Sequence, residues 1–126
     1  MWLYVAVGGA AGALGRYWIS AWIRAAFDGA FPLGTFIVNI VGSFLIGFGL
    51  QAMEILLVSA SMRTMLAVGF LGAFTTFSTF SFETVTLLRD GDWIRAVMYA
   101  GLSVGLGLVA VIAGLAAASI LVETRG

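Results

Sequence analysis

Charged residues are absent from four stretches of the chain, 1–15, 29–53, 64–82 and 96–122, and apolar residues fill most of each. A helix needs about 20 predominantly apolar residues to cross a bilayer. The pattern therefore predicts four transmembrane helices, near 2–25, 34–57, 62–88 and 92–121. The connectors are short. Residues 28–34 hold the only proline, Pro32, and form a turn into the second helix. Ser59-Ala60-Ser61 is a second predicted turn. Residues 89–92 are a third, with Asp92 as the N-cap of the last helix. No internal repeat or low-complexity linker divides the sequence, so residues 1–126 are read as a single four-helix transmembrane domain.

The third stretch departs from the pattern. Residues 72–81 read Gly-Ala-Phe-Thr-Thr-Phe-Ser-Thr-Phe-Ser, with Phe74, Phe77 and Phe80 three apart and five hydroxyl residues around them. Threonine and phenylalanine are mediocre helix formers, and Gly69 and Gly72 lie just upstream. A break in helix 3 is expected here. Irregular backbone at membrane depth persists only where protein or a water-filled cavity satisfies it. The run thus predicts a lined path or a broken helix, not a rod facing lipid.

Composition narrows the class. With 62% hydrophobic and 10% charged residues and a mean hydropathy of +1.12, the chain lies far from the roughly 25% charge of soluble domains. It is read as an all-α integral membrane protein. Cysteine, histidine and lysine are absent, which excludes disulfides, thiol chemistry, histidine metal sites and imidazole catalysis. No nucleophile–base pair is available, so an enzyme is not expected. A net charge of zero gives no electrostatic case for nucleic acid. The start, Met-Trp-Leu-Tyr, lacks the cationic character of a cleaved signal peptide, so the first helix is expected to be retained.

The arginines bear on topology. With four helices, both termini and the connector between helices 2 and 3 share one side, which carries Arg63 and Arg125. The other side carries Arg24, Arg89 and Arg95. A positive bias normally fixes orientation, and here it is nearly absent. A chain inserted both ways can pair as an antiparallel, dual-topology homodimer with its two-fold axis in the membrane plane. A weakly biased single orientation is the ordinary alternative.

Several helix faces carry chemistry. Thr35, Asn39 and Ser43 recur every fourth residue and stack on one face of helix 2. The Asn39 amide offers two N–H donors without charge, and the same face would also serve to bond helices together. Tyr99 and Ser103 share a face of helix 4 with Gly107. Gly101 and Gly105, like Gly8 and Gly12 in helix 1, have the spacing of closely packed membrane helices. Arg16 is the one ionisable residue well inside a predicted helix, which by default marks a water-filled vestibule or an ion path. The alternative is snorkelling to the interface. Glu83 lies one turn beyond Thr79, at the mouth of any such path. Asp28, Arg89, Asp90, Asp92 and Glu123 are read as solvated charges.

Aromatic rings have positive edges, so Phe77 and Phe80 can meet an anion without a full positive charge, with hydroxyls and the Asn39 amide donating between them. Weak, multiple contacts of that kind suit conduction. Packing is the plainer role for the rings. A break also frees carbonyl oxygens, and two breaks meeting at a two-fold axis would cage a hard monovalent cation such as Na+.

At these residues the chain resembles the Fluc/CrcB family of fluoride channels. The likeness extends over nearly the whole chain: Gly15-Arg16-Tyr17 in helix 1, Gly34-Thr35 and Val38-Asn39 in helix 2, and Gly72 followed by Phe74-Thr75-Thr76-Phe77-Ser78-Thr79-Phe80-Ser81 and Glu83 in helix 3. The resemblance implies a dual-topology antiparallel homodimer with two pores in the cell's inner (plasma) membrane, in contact with lipid. By the same resemblance Phe77 and Phe80 line the fluoride path, and Asn39 positions them and touches the ion. Ser78, Thr79, Tyr99 and Ser103 form a hydroxyl track with Thr35 nearby, Arg16 is the vestibule arginine, and Glu83 is the acid at the mouth. The backbone carbonyls of Gly72 and Thr75 are implied as ligands of a structural Na+. Fluoride is the implied partner, exported passively to relieve its toxicity. A small multidrug-resistance-type proton-coupled transporter is the alternative, although helix 1 has no acid before Asp28 to exchange protons. A non-transporting scaffold would explain the glycines but not the ring-and-hydroxyl run.

Overall fold

A computed structural model describes residues 1–124, and every regular element among them is helical. The order is α1 (Trp2–Ala26), α2 (Leu33–Ile55), α3 (Ala60–Arg63), a π-helical segment (Thr64–Leu71), α4 (Gly72–Phe74), α5 (Phe77–Arg89) and α6 (Trp93–Glu123). Three spans are long and apolar enough to cross a membrane: Leu33–Ile55, Ala60–Arg89 and Trp93–Glu123. The protein is a multi-pass membrane protein. α1 has the length, 25 residues, but not the apolarity, because Arg16, Ser20, Arg24 and a glycine-rich first half dilute it. The expected count of four spans is therefore not reached on length and composition. Arg125 lies outside the described residues.

Two parallel pairings build the packing. α1 lies against the π-helical segment so closely that a methyl group on Gly8 would overlap the Met65 carbonyl, and one on Gly12 the Phe70 carbonyl. The wide π turn brings Gly69 up to the backbone of Val5, Gly8 and Gly9. A π-helix is rare and needs a reason. Here it seats three glycines backbone to backbone. α2 and α6 repeat the arrangement: Gly47 faces the Val111 backbone and Gly114 faces Phe44 and Phe48. Gly101 and Gly105 behave otherwise, with no atom among the described residues within reach of an added methyl. The contact expected from their spacing is not made within the subunit. Gly12→Val should therefore destabilise the fold by about 1–3 kcal/mol, the usual cost of overpacking. Gly101→Val should leave subunit stability unchanged in a detergent melt.

The reversal after α2 corrects the expected turn. It falls at residues 56–58, where Leu57 adopts a left-handed φ of 54° and Val58 N–H donates to the Met53 carbonyl at 3.0 Å. Ser59 belongs to the next element. Its hydroxyl accepts from Met62 N–H at 3.3 Å and caps α3. Residues 60 and 61 are thus the first helical turn rather than a connector. Asp92 caps α6 as its position suggested, accepting from Arg95 N–H at 3.2 Å. Its second oxygen takes the Arg95 guanidinium at 2.7 Å. That side-chain hydrogen bond holds the Asp92 carboxyl below the usual carboxylate range.

Candidate functional site

The third long element is interrupted at Thr75 and Thr76, whose backbones are extended (φ −89°, ψ 157° and φ −148°, ψ 121°). An interruption exposes main-chain donors and acceptors, and side chains of the break itself and of two other helices meet them. Thr75 donates both its N–H and its hydroxyl to the Leu71 carbonyl, at 3.1 and 3.0 Å. Thr76 N–H donates to Asn39 Oδ1 at 2.9 Å, and Asn39 Nδ2 donates to the Thr76 carbonyl at 3.0 Å. One amide thus stands in for a missing strand or turn partner. The Thr76 hydroxyl accepts from Thr79 N–H at 3.3 Å and opens α5 as its N-cap. From α1, Arg16 Nε donates to the Ala73 carbonyl at 3.0 Å. No described residue donates to the carbonyls of Gly72 or Thr75. Free main-chain oxygens of this kind suit a hard cation, which takes oxygen ligands, so the pair implied for Na+ fits the group.

The rings follow directly. Phe77 and Phe80 have centroids 5.8 Å apart with planes at 42°. Phe80 continues to Tyr99 at 5.1 Å, and Phe31 meets Tyr99 edge-on at 5.4 Å. Phe80 is half-buried, whereas Phe77 is 79% exposed within the subunit. A cavity of about 290 Å³ opens between α2, the break and α6, lined by Asn39, Ser43, Thr75, Phe77, Phe80 and Ser103. Ser103 Oγ is buried there and has no hydrogen-bond partner among the described residues. An unpaired buried hydroxyl costs free energy.

Two further cavities flank α1. One of about 290 Å³ is lined by Arg16, Ser20, Arg24, Thr35, Thr76 and Thr79. Another of about 470 Å³, at the loop end, is lined by Arg24, Phe31, Thr35, Glu83, Asp90 and Asp92. Arg24 and Thr35 belong to both walls. Tyr99 OH donates to Glu83 Oε1 at 3.1 Å, joining α6 to α5 beneath the loop-end cavity.

The expected site residues thus fall into three groups. Asn39, Phe77, Phe80 and Ser103 share the first cavity. Arg16, Thr35 and Thr79 share the second, and Glu83 lines the third in contact with Tyr99. Ser78 is exposed, its hydroxyl 3.5 Å from that of Thr76. The polar stripe of α2 divides: Asn39 binds the break, while Ser43 turns its hydroxyl back to the Asn39 carbonyl at 2.8 Å. Arg16 turns its Nε to the Ala73 carbonyl of α4, just ahead of the break. Sequence reasoning passed over Thr76, Ser20 and Gly42. Thr76 is legible as a cap, three residues before Thr79. Ser20 sits midway between Arg16 and Arg24 at helical spacing. Gly42 gives no local signal, yet a methyl there would overlap the Thr75 side chain.

The family model described as CrcB-like protein, Camphor Resistance (CrcB), matches residues 3–115. A protein of Geotalea uraniireducens is 53% identical over 95 residues, 75% of this chain and 77% of its own, and is named fluoride-specific ion channel FluC. Proteins bearing the same name in Acidobacterium capsulatum and Ignicoccus hospitalis are 44% and 46% identical. They cover 90% and 89% of this chain and 92% and 89% of their own lengths.

Proposed function

The chain belongs to the CrcB family, a family of channels rather than enzymes, and from that premise we propose that it conducts fluoride passively out of the cell across the plasma membrane. The observation that carries the reading is the Asn39–Thr76 pairing. It holds helix 3 open at the point where Phe77, Phe80 and the unpaired Ser103 hydroxyl surround one cavity. Ring edges and hydroxyl donors stabilise a small anion without the deep electrostatic well that arginines would create. Asn39, Ser103, Thr79, Ser78 and Thr35 supply donors, and Tyr99 stands beside them with its own hydroxyl committed to Glu83. Arg16 and Glu83 stand at the approaches.

Hydrogen fluoride crosses membranes uncharged and dissociates in a more neutral cytoplasm, where the ion is trapped. A negative interior then drives fluoride out, so no nucleotide site or proton relay is required. The exchange-transporter alternative asks for a free carboxylate in α1, which has none, and Glu83 is taken up by Tyr99.

In this reading α1 is the fourth membrane helix of a single domain. The exposed Phe77 face is completed by a second, oppositely inserted copy, giving a dual-topology homodimer with two pores in surrounding lipid. The carbonyls of Gly72 and Thr75 would hold a structural Na+, which supplies a fixed charge tying the two breaks together. Purified protein in liposomes loaded with fluoride should release it on dissipation of the potential by valinomycin. Release no faster than from protein-free vesicles would reject the reading. Two lysines placed at Gly29 and Ala30 should force one orientation and abolish efflux when that variant is expressed alone. Undiminished activity would contradict dual topology.

A further inference from the structure

Arg16 has an unexpected occupation. A charge that serves as an electrostatic attractor presents its terminal nitrogens to the aqueous path. Here it is the inner nitrogen, Nε, that is engaged, donating to the Ala73 carbonyl at 3.0 Å across 57 residues of sequence. Ala73 lies between Gly72 and Thr75, the two residues whose carbonyls accept nothing among the described residues. Three residues further on, Asn39 of α2 pairs with both main-chain groups of Thr76. The short α4 turn and the break that follows it are therefore held from α1 and from α2.

We propose that Arg16 is a positioning residue for the helix break, acting through the Nε hydrogen bond to Ala73 rather than through its charge. The bond takes up the Ala73 carbonyl and leaves those of Gly72 and Thr75 without a donor among the described residues. Arg16 thereby sets both the cation cage and the placement of Phe77, which begins the next helix. This rests on the reading of the break as the seat of the fluoride path and of the sodium site.

The bond count of the side chains separates charge from position. In Arg16→Gln the amide nitrogen stands the same number of bonds from Cα as arginine Nε, so the donor stays and the charge goes. In Arg16→Lys the charge stays, but the nitrogen moves one bond further out and the ε position becomes a methylene. Each variant is measured for fluoride efflux from liposomes and for the Na+ concentration that half-protects the dimer against thermal unfolding after dialysis into choline.

Arg16→Gln should stay within about twofold of the unmodified protein in the Na+ needed for protection, and should lose less efflux than Arg16→Lys. Arg16→Lys should lose roughly tenfold in efflux and need roughly tenfold more Na+, since a tenfold change is the scale of one well-placed hydrogen bond. The reverse order, or equal loss in both variants, would overturn the proposal in favour of a role for the charge. Two variants indistinguishable from the unmodified protein would show the bond to be idle. Absence of efflux in the unmodified protein would sink the channel reading itself. Efflux without any Na+ protection there would sink the cation cage and this proposal while leaving the channel intact.

Discussion

Asn39→Ala should reduce fluoride efflux by at least about 100-fold, equivalent to roughly 2.7 kcal/mol. The substitution strips partners from both main-chain groups of Thr76 at once, since the 2.9 and 3.0 Å bonds come from one side chain. An orphaned buried donor or acceptor costs about 1–3 kcal/mol. Water is scarce at this depth, so the segment relieves that cost by moving, through partial rewinding or shift of the first turn of α5. Phe77 and Phe80 belong to that turn and the next, and they move with it. Ser43→Ala is the control on the same face of α2. Its hydroxyl only returns to the carbonyl of Asn39 within its own helix, a bond worth a few tenths of a kcal/mol, so efflux should change by less than about twofold. Equal effects in the two variants would mean that the polar face of α2 merely bonds helices together.

The contrast between those two residues marks the limit of what the sequence discloses. Thr35, Asn39 and Ser43 look alike in spacing, and nothing local says that only Asn39 meets the break. Its partner lies 37 residues away, so the meeting depends on how α2 seats against α4 and α5. The long helices were legible because charge marks their ends. An interruption near Gly72–Thr79 was legible from its weak helix formers, but its place at Thr75–Thr76 was not, because Asn39 and the Thr76 cap together choose it.

The π-helix left no trace. Residues 64–71 read as ordinary apolar helix, and the widening follows from the fit of Gly69 against Gly8 and Gly9. Glycine spacing alone proved ambiguous: Gly8 and Gly12 touch a neighbouring backbone, while Gly101 and Gly105, spaced identically, have no such neighbour among the described residues. The turn after α2 was misplaced because serine both caps helices and favours turns, and because a leucine with positive φ has no sequence signature.

Phe77→Ile is the sharper of the two tests of the rings, because within the subunit Phe77 has little packing to lose. Its ring is 79% exposed and its one aromatic neighbour is Phe80, 5.8 Å away. Phe80 is different: it bridges Phe77 and Tyr99, and aromatic pairs of this kind contribute about 0.5–1.5 kcal/mol beyond burial. Phe80→Ile therefore mixes a loss of ring edge with a loss of packing against Tyr99. Both substitutions should slow efflux, by roughly tenfold or more, about 1.4 kcal/mol of barrier. Isoleucine offers bulk of similar size but no edge of positive potential. Size-exclusion chromatography should show the same assembled species for both variants as for the unmodified protein. In a melt Phe80→Ile should lower stability and Phe77→Ile should not, so the effect of Phe77→Ile on flux cannot be charged to folding. Unchanged flux in Phe77→Ile with an intact assembly would reduce the rings to filler between helices. The cavity beside Ser103 would then need another explanation for its unpaired hydroxyl.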